Sequence, residues 1–317
     1  MMKQENTPTK KIIIKDSTLR EGLDVPDVNL TIEQKLKIVR LLDQAQVPEI
    51  EVVAPGKVFE DLKFVKRLNE EDLPIRSSGL IYVDNPQSRE EIKEASRYLN
   101  RFDLLMPVSP KRKPYDKSVK IRHLIEALAF SLHHLSEVGV GFPHSTQIEI
   151  DFLLEISRES VGSGARRVTI YDTNGNSDPF EIYNLVKRLK EELDIPLFFH
   201  GHNDLGLATA NSLAAVYAGV DGLDATMNGL GDRAGNSSLE QVVLSLHLKG
   251  FETGIILKDL KSLSETVEEA SGILVSKLAP VVGKHIFFHK SLGHLESPEL
   301  FEAFDPQLVG SKRELNK

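Results

Sequence analysis

The chain has no cysteine. Disulfides, thiolate zinc sites and cysteine nucleophiles are therefore excluded, and a reducing, cytoplasmic setting is the expectation that fits. No apolar run approaches the ~20 residues of a membrane span, so no membrane association is expected. The opening residues, MMKQENTPTKK, are polar and lack the apolar stretch of a secretory leader. Residues 1–10 read as a disordered tail. Positive charge is also scarce: 39 Lys and Arg against 47 Asp and Glu leave a net charge of −8. That is the wrong sign for a general nucleic-acid-binding face, so no nucleic-acid partner is expected.

What is present is an ordinary globular balance, 40% hydrophobic and 27% charged, which supports a packed core. Short apolar or β-branched runs recur at residues 12–15, 50–53, 75–78, 102–107, 138–142, 167–171, 197–200 and 221–226. Helical patterns lie between them at 31–46, 58–69, 88–98, 120–136, 148–163, 179–193 and 206–218. Such alternation indicates a parallel sheet with helical crossovers. Eight units in roughly 250 residues is the size of a closed (β/α)8 TIM barrel; an open doubly wound sheet would usually have fewer strands. Asp178-Pro179 and the Thr31/Gln34 pair are helix-start signals. The strand rhythm stops near residue 240. The expected division is a TIM-barrel catalytic domain over 11–255 and a short C-terminal helical subdomain over 256–317, with a helix at 256–275.

Three segments carry chemistry. His200-Gly201-His202-Asn203-Asp204 closes the seventh candidate strand. Side chains alternate along extended backbone, so His200 and His202 project together, at the barrel end where active sites lie. An arbitrary pair of this kind is more often a loop feature; the position favours metal ligation. Asp16-Ser-Thr-Leu-Arg20-Glu21-Gly22 follows strand one. Glu21 is a candidate third ligand and Arg20 a candidate oxyanion or carboxylate clamp, provided the chain turns there, which Gly22 would ease. After strand eight, Asn228-Gly-Leu-Gly-Asp-Arg-Ala-Gly-Asn236 allows close backbone approach to a ligand, with a spacing unlike the Rossmann fingerprint. Asp172-Thr173-Asn174-Gly175 adds a hydroxyl and amides to the same rim.

Together these segments resemble the DRE-TIM metallolyase superfamily, in its 2-isopropylmalate, homocitrate and citramalate synthase branch. The matching text, DSTLREG, IEVVAPG, DTNG, HGHNDLGLATANSLAAVYAG, NGLGDRAGNSSLE and HKSLGHLESPELFEAFDPQLVG, runs from Asp16 to about Gly310. The resemblance implies a divalent ion (Mg, Mn or Zn) on Glu21, His200 and His202, with Asn236 close by or ligating. Arg20 would face the reacting carbonyl oxygen, Thr173 the substrate carboxylate, and Asn228 would line the substrate side. His294 would reach over an active site, usually a partner's, which implies a homodimer. The expected reaction is condensation of an acyl-CoA, such as acetyl-CoA, with a 2-oxoacid. Carbon–carbon cleavage on the same scaffold and a non-catalytic metal-containing barrel are the alternatives. Lyases of the superfamily that cleave hydroxymethylglutaryl-CoA use a cysteine in the loop after strand eight, and this chain has none.

The chain departs from the resembled synthases in three places. Leu23-Asp24 replaces their usual Glu-Gln after LREG. The glutamate-aspartate-x-x-arginine segment after strand five is replaced by Phe142-Pro-His-Ser-Thr-Gln-Ile-Glu149, which makes His144 the nearest candidate acid/base group. The tail's SGIH appears as Ser291-Leu-Gly-His294. Asp24 and His144 fall where the side chain of the 2-oxoacid and the base are expected. A chain ending at 317 leaves no room for the regulatory domain of many isopropylmalate synthases, so none is expected. The Lys111-Arg112-Lys113 run reads first as a solvated charge cluster, with contact to CoA phosphates as the alternative. His289 is a lesser tail candidate, and His123, His133 and His134 read as helix-surface or packing residues.

Overall fold

The computed structural model describes residues 10–113 and 115–315, so most of the expected N-terminal tail lies outside the described residues. Eight parallel strands close into a barrel in chain order: β1 (Ile13–Asp16), β2 (Glu49–Val53), β3 (Arg76–Tyr82), β4 (Arg101–Leu105), β5 (Val138–Phe142), β6 (Val168–Asp172), β7 (Leu197–Gly201) and β8 (Gly222–Ala225). Closure comes from β1 on β8, with Ile13 opposite Gly222 and Asp16 opposite Ala225. The intervening helices are α1 (Ile32–Gln44), α2 (Val58–Asn69), α3 (Ser88–Ala95), α4 (Lys117–Leu132), α5 (Ile150–Gly162), α6 (Pro179–Glu192), α7 (Ala208–Ala218) and α8 (Leu239–Leu248). The closed sheet decides against the doubly wound alternative.

Local chemistry sets the boundaries. Thr31 and Gln34 form a reciprocal capping box at α1, and Asp178 with Glu181 does the same at α6, ahead of Pro179. β3 runs four residues past its expected end because Gly79 reads as a breaker in sequence. In the fold it sits at the β2–β3 irregularity, where a Cβ would stand 2.6 Å from Val53 Cβ. Small size is what that contact demands.

The strands bury their outer faces on the helices through Ile14, Ile50, Phe102, Val140, Ile170 and Phe199. The inner face is charged. Lys15 Nζ lies 2.5 Å from Glu51 and 3.1 Å from Asp224. Arg167 Nε donates to Asp103 at 2.9 Å and its Nη1 to Glu49 at 2.9 Å, and Phe198 lies under its guanidinium. These groups are buried, so each is tolerated only because its opposite is in contact.

Past α8, α9 (Leu260–Ser271) packs on α1. The remaining chain holds two short paired strands, β9 (Phe288–His289) and β10 (Glu314–Leu315), with α10 (Leu292–Glu296) between them. No described helix is long and apolar enough to cross a membrane.

Candidate metal centre

β1 delivers the first segment. Asp16 accepts from Thr18 N–H at 3.0 Å and from its hydroxyl at 2.7 Å, and Thr18 Oγ1 in turn accepts Met227 N–H at 2.8 Å. The chain then folds back: Glu21 N–H donates to Ser17 O at 2.8 Å, opening a 3-10 turn over Glu21–Asp24. That turn puts Arg20 and Glu21 on one side of the barrel mouth. Gly22 serves it through closeness rather than a left-handed backbone: a Cβ there would stand 3.3 Å from Leu230 Cβ.

β7 delivers the histidines, as the alternation rule requires. His200 Nε2 lies 3.3 Å from Glu21 Oε1 and 3.3 Å from His202 Nε2. The ligand atoms of Glu21, His200 and His202 all fall within 4.8 Å of one another, and all three residues are buried. The glycine loop is stitched along this strand end. Asn203 N–H donates to Gly235 O at 2.9 Å and Ser237 N–H to Gly201 O at 3.1 Å, which brings Asn236 Nδ2 to 3.0 Å from His200 Nε2. Gly231 permits this: a Cβ there would lie 1.8 Å from Asn236 Oδ1.

Asp224, from β8, accepts Nδ1–H of His200 at 3.1 Å. That bond sets Nε2 as the ring atom facing His202 and Glu21. Asn236 Oδ1 is buried without a partner. Two imidazole nitrogens and a carboxylate oxygen around one point, with an unpaired amide oxygen beside them, fit a divalent cation. The protonation states of Glu21 and His202 agree. Burial opposes charge on Glu21, but Arg20 and the two histidines hold its carboxyl well below the usual range. Burial and the neighbouring His200 push His202 down to about 3. Both therefore offer their ligating forms at neutral pH. His200 is raised, because its bonds to Asp224 and Glu21 outweigh burial.

Arg20 is held in place. Its Nε donates to Glu51 at 2.5 Å and its Nη1 to Glu21. Tyr171 packs on His200 with centroids 4.7 Å apart, and with Leu80, Leu105 and Tyr82 it forms a small apolar cluster. Glu51, Asp224, Lys15 and Tyr171 were not singled out from the sequence. Their only signal was charge or hydroxyl at alternate positions in strands, a pattern that normally marks a solvent face.

The other expected site residues are distributed. Asp24 pairs with Lys57 at 3.1 Å, and its carboxylate stands within 4.8 Å of those of Glu21 and Asp232. Thr173 Oγ1 accepts His144 N–H at 2.8 Å, so these two meet at the rim. His144 Nδ1 lies 3.2 Å from Asn174 Oδ1. Asn228 is spent on α9: its amide donates to Ser264 O at 3.0 Å and accepts the Ser264 hydroxyl at 2.5 Å. His294 is not brought into the Glu21–His200–His202 group. It stacks on Phe301 at 3.9 Å and meets His289 at 3.2 Å, within the tail.

A family model described as HMGL-like matches residues 11–267. The chain belongs to this family. It is 33% identical to a probable 2-isopropylmalate synthase of Methanopyrus kandleri, over 96% of this chain and 62% of that one. It is 34% identical to homocitrate synthase 1 of a Nostoc species, over 96% and 82%. These similarities place it in the DRE-TIM metallolyase superfamily. The chain spans less than two thirds of the Methanopyrus relative. The fold is shared with a Bacillus subtilis HMG-CoA lyase, at a TM-score of 0.72 and 21% identity over 84% of this chain and 96% of that one.

Proposed function

We propose that this family member is a metal-dependent acyltransferase that condenses an acyl-CoA, such as acetyl-CoA, with a 2-oxoacid to give a 2-hydroxy-2-alkyl dicarboxylate and free CoA. The observation that carries the reading is the convergence of Glu21, His200 and His202 on one point, with the Arg20 guanidinium in contact with Glu21. Glu21, His200 and His202 hold the ion, and Asn236 completes or adjoins the set. The bound ion supplies Lewis acidity at a keto oxygen. Arg20, held charged by Glu21 and Glu51 despite burial, is the donor for the oxygen on which negative charge develops. Asp224 and Glu51 position His200 and Arg20 without touching substrate.

His144 is the proposed base. Donation of Nδ1–H to Asn174 leaves Nε2 unprotonated, and burial lowers its proton affinity, so the ring is neutral and able to take a proton at neutral pH. Thr173 orients His144 through its backbone and keeps its place at the substrate rim. Asn228 holds the glycine loop to α9. Asp24, balanced by Lys57, suits a 2-oxoacid whose side chain carries a hydrogen-bond donor. The tail leaves Leu274, Leu278, Leu292 and Leu300 more than three quarters exposed, which supports a homodimer in which His294 serves the partner.

The test is release of free CoA from acetyl-CoA across a panel of 2-oxoacids, run beside release of pyruvate from the corresponding hydroxyacids and of acyl-CoA from their CoA thioesters. CoA release that depends on a 2-oxoacid is expected. Cleavage without condensation would replace the synthase reading by the lyase one.

A further inference from the structure

A cavity of about 530 Å³ opens between the turn after β3 and the loop that joins β4 to α4, lined by Asp84, Arg112, Lys113, Asp116, Lys120 and His123. Its cations are poorly matched. The Lys120 side chain is only 7% exposed, yet the nearest carboxylate, Asp84, is 3.9 Å from its ammonium. Its other contact is Met106 Sδ at 3.8 Å. Asp84 is shared with His123, 3.6 Å away. Asp116 is committed to capping α4, accepting Val119 N–H at 3.0 Å. Arg112 and Lys113 lie over the rings of Tyr82 and Tyr115 at 5.4 and 5.9 Å, and among the described residues neither forms an ion pair. A buried ammonium without a close acceptor is costly, and burial lowers the proton affinity of Lys120 accordingly. An anion seated in the cavity would supply what these groups lack.

Side-chain packing links the cavity to the barrel mouth. Tyr82, beneath Arg112, belongs to the apolar cluster with Leu80, Leu105 and Tyr171, and Tyr171 packs on His200. Arg112 and Lys111 also reach His144 electrostatically, helping to lower its proton affinity. The cavity, formed after β3 and β4, therefore stands at the same end of the barrel as the candidate metal centre, formed after β1 and β7, an arrangement that suits an extended ligand with an anionic end. We propose that this cavity binds the phosphates at the nucleotide end of the acyl thioester, with Lys120, Arg112 and Lys113 as donors and the Tyr82 and Tyr115 rings as flanking surface. The inference deepens the acyl-CoA reading and rests on it for the identity of the ligand.

Adenosine 3′,5′-bisphosphate and free CoA are titrated calorimetrically into wild type, an Arg112→Ser/Lys113→Ser double variant and Lys120→Met, without 2-oxoacid. In parallel, turnover of acetyl-CoA is compared with that of S-acetylpantetheine, which lacks the nucleotide. The double variant replaces exposed side chains and carries the test if Lys120→Met fails to fold. Expected are an affinity loss of about tenfold or more for both nucleotides and a similar fall in preference for acetyl-CoA over S-acetylpantetheine. Unchanged affinity in the double variant, or no bisphosphate binding to wild type, overturns the proposal even if condensation is observed. Bisphosphate binding that the variants weaken upholds the cavity assignment even if no 2-oxoacid supports CoA release, an outcome that would overturn only the synthase reading.

Discussion

His200 and His202 face each other Nε2 to Nε2 across 3.3 Å, and Asp224, 3.1 Å from Nδ1 of the first ring, prevents His200 from turning away. Two ring nitrogens set so close need a cation or a proton between them. This is the relationship from which metal binding is expected.

His202→Ala should therefore abolish most metal binding while the barrel stays folded, because the residue sits at the rim and not in the packed layers. Elemental analysis after gel filtration should fall from about one ion per chain toward zero, with little change in melting temperature. Equal metal content in variant and wild type would remove His202 from the ligand set.

Asp224→Asn keeps the shape and removes the charge that fixes the His200 tautomer. Outer-shell changes of this kind typically cost about 10–100-fold in metal affinity. Competition against a chelator measures it. Lys15 also contacts Asp224 at 3.1 Å, so the variant leaves Lys15 with Glu51 alone, and a modest loss of stability should accompany the effect.

Arg20→Lys should lower turnover by about 10²–10³ with a much smaller change in metal content. A point charge cannot reproduce a fork held by Glu51 at one edge and Glu21 at another. A variant that turns over the true substrate at near the wild-type rate would place Arg20 outside the chemistry.

Glu240, fully buried in the first turn of α8, accepts Asn228 N–H at 3.1 Å, and burial raises its carboxyl from an ordinary 4.5 to about 7. The fold therefore favours the protonated form. That stabilisation is complete below about 4.5 and is lost as pH rises through about 7. Glu240→Gln retains an acceptor and does not titrate. Between about pH 5 and pH 8 wild type should lose on the order of 2 kcal/mol relative to the variant, a tenfold change in proton affinity being about 1.4 kcal/mol. Urea unfolding at both pH values checks the sign, and a difference that stays constant or moves the other way contradicts the account.

Asp24→Gln should shift substrate preference toward 2-oxoisovalerate or 2-oxoglutarate, because it removes a carboxylate that an anionic substrate must approach. Lys57, 3.1 Å from Asp24, already offsets part of that repulsion, so Lys57→Met alone should sharpen the discrimination against them. Identical kcat/KM rankings in all three proteins would make Asp24 a bystander.

The sequence made the barrel and the grouping of Glu21, His200 and His202 legible for different reasons. Strand–helix alternation is a long-range rhythm that survives errors at single boundaries, and His200/His202 follow from the two-residue period of a strand. What it concealed were groups whose roles depend on neighbours distant along the chain. Glu51 and Asp224 are ordinary acids until the closed sheet sets both beside Lys15. Asn228 reads as a ligand-loop residue until α9 places Ser264 against it. Helix α8 was missed because its start follows directly on the glycine loop, whose own signal dominated the segment.

The charged lining of the barrel has a consequence for how this protein can vary. Arg167 answers to Asp103 and Glu49 together, and Lys15 to Glu51 and Asp224, so replacing either cation strands two acids away from water. Such a substitution should cost about 3–5 kcal/mol, whereas an apolar set of matched volume installed at once can be neutral. The helices outside can drift one residue at a time. The strand interior can be rewritten only in blocks.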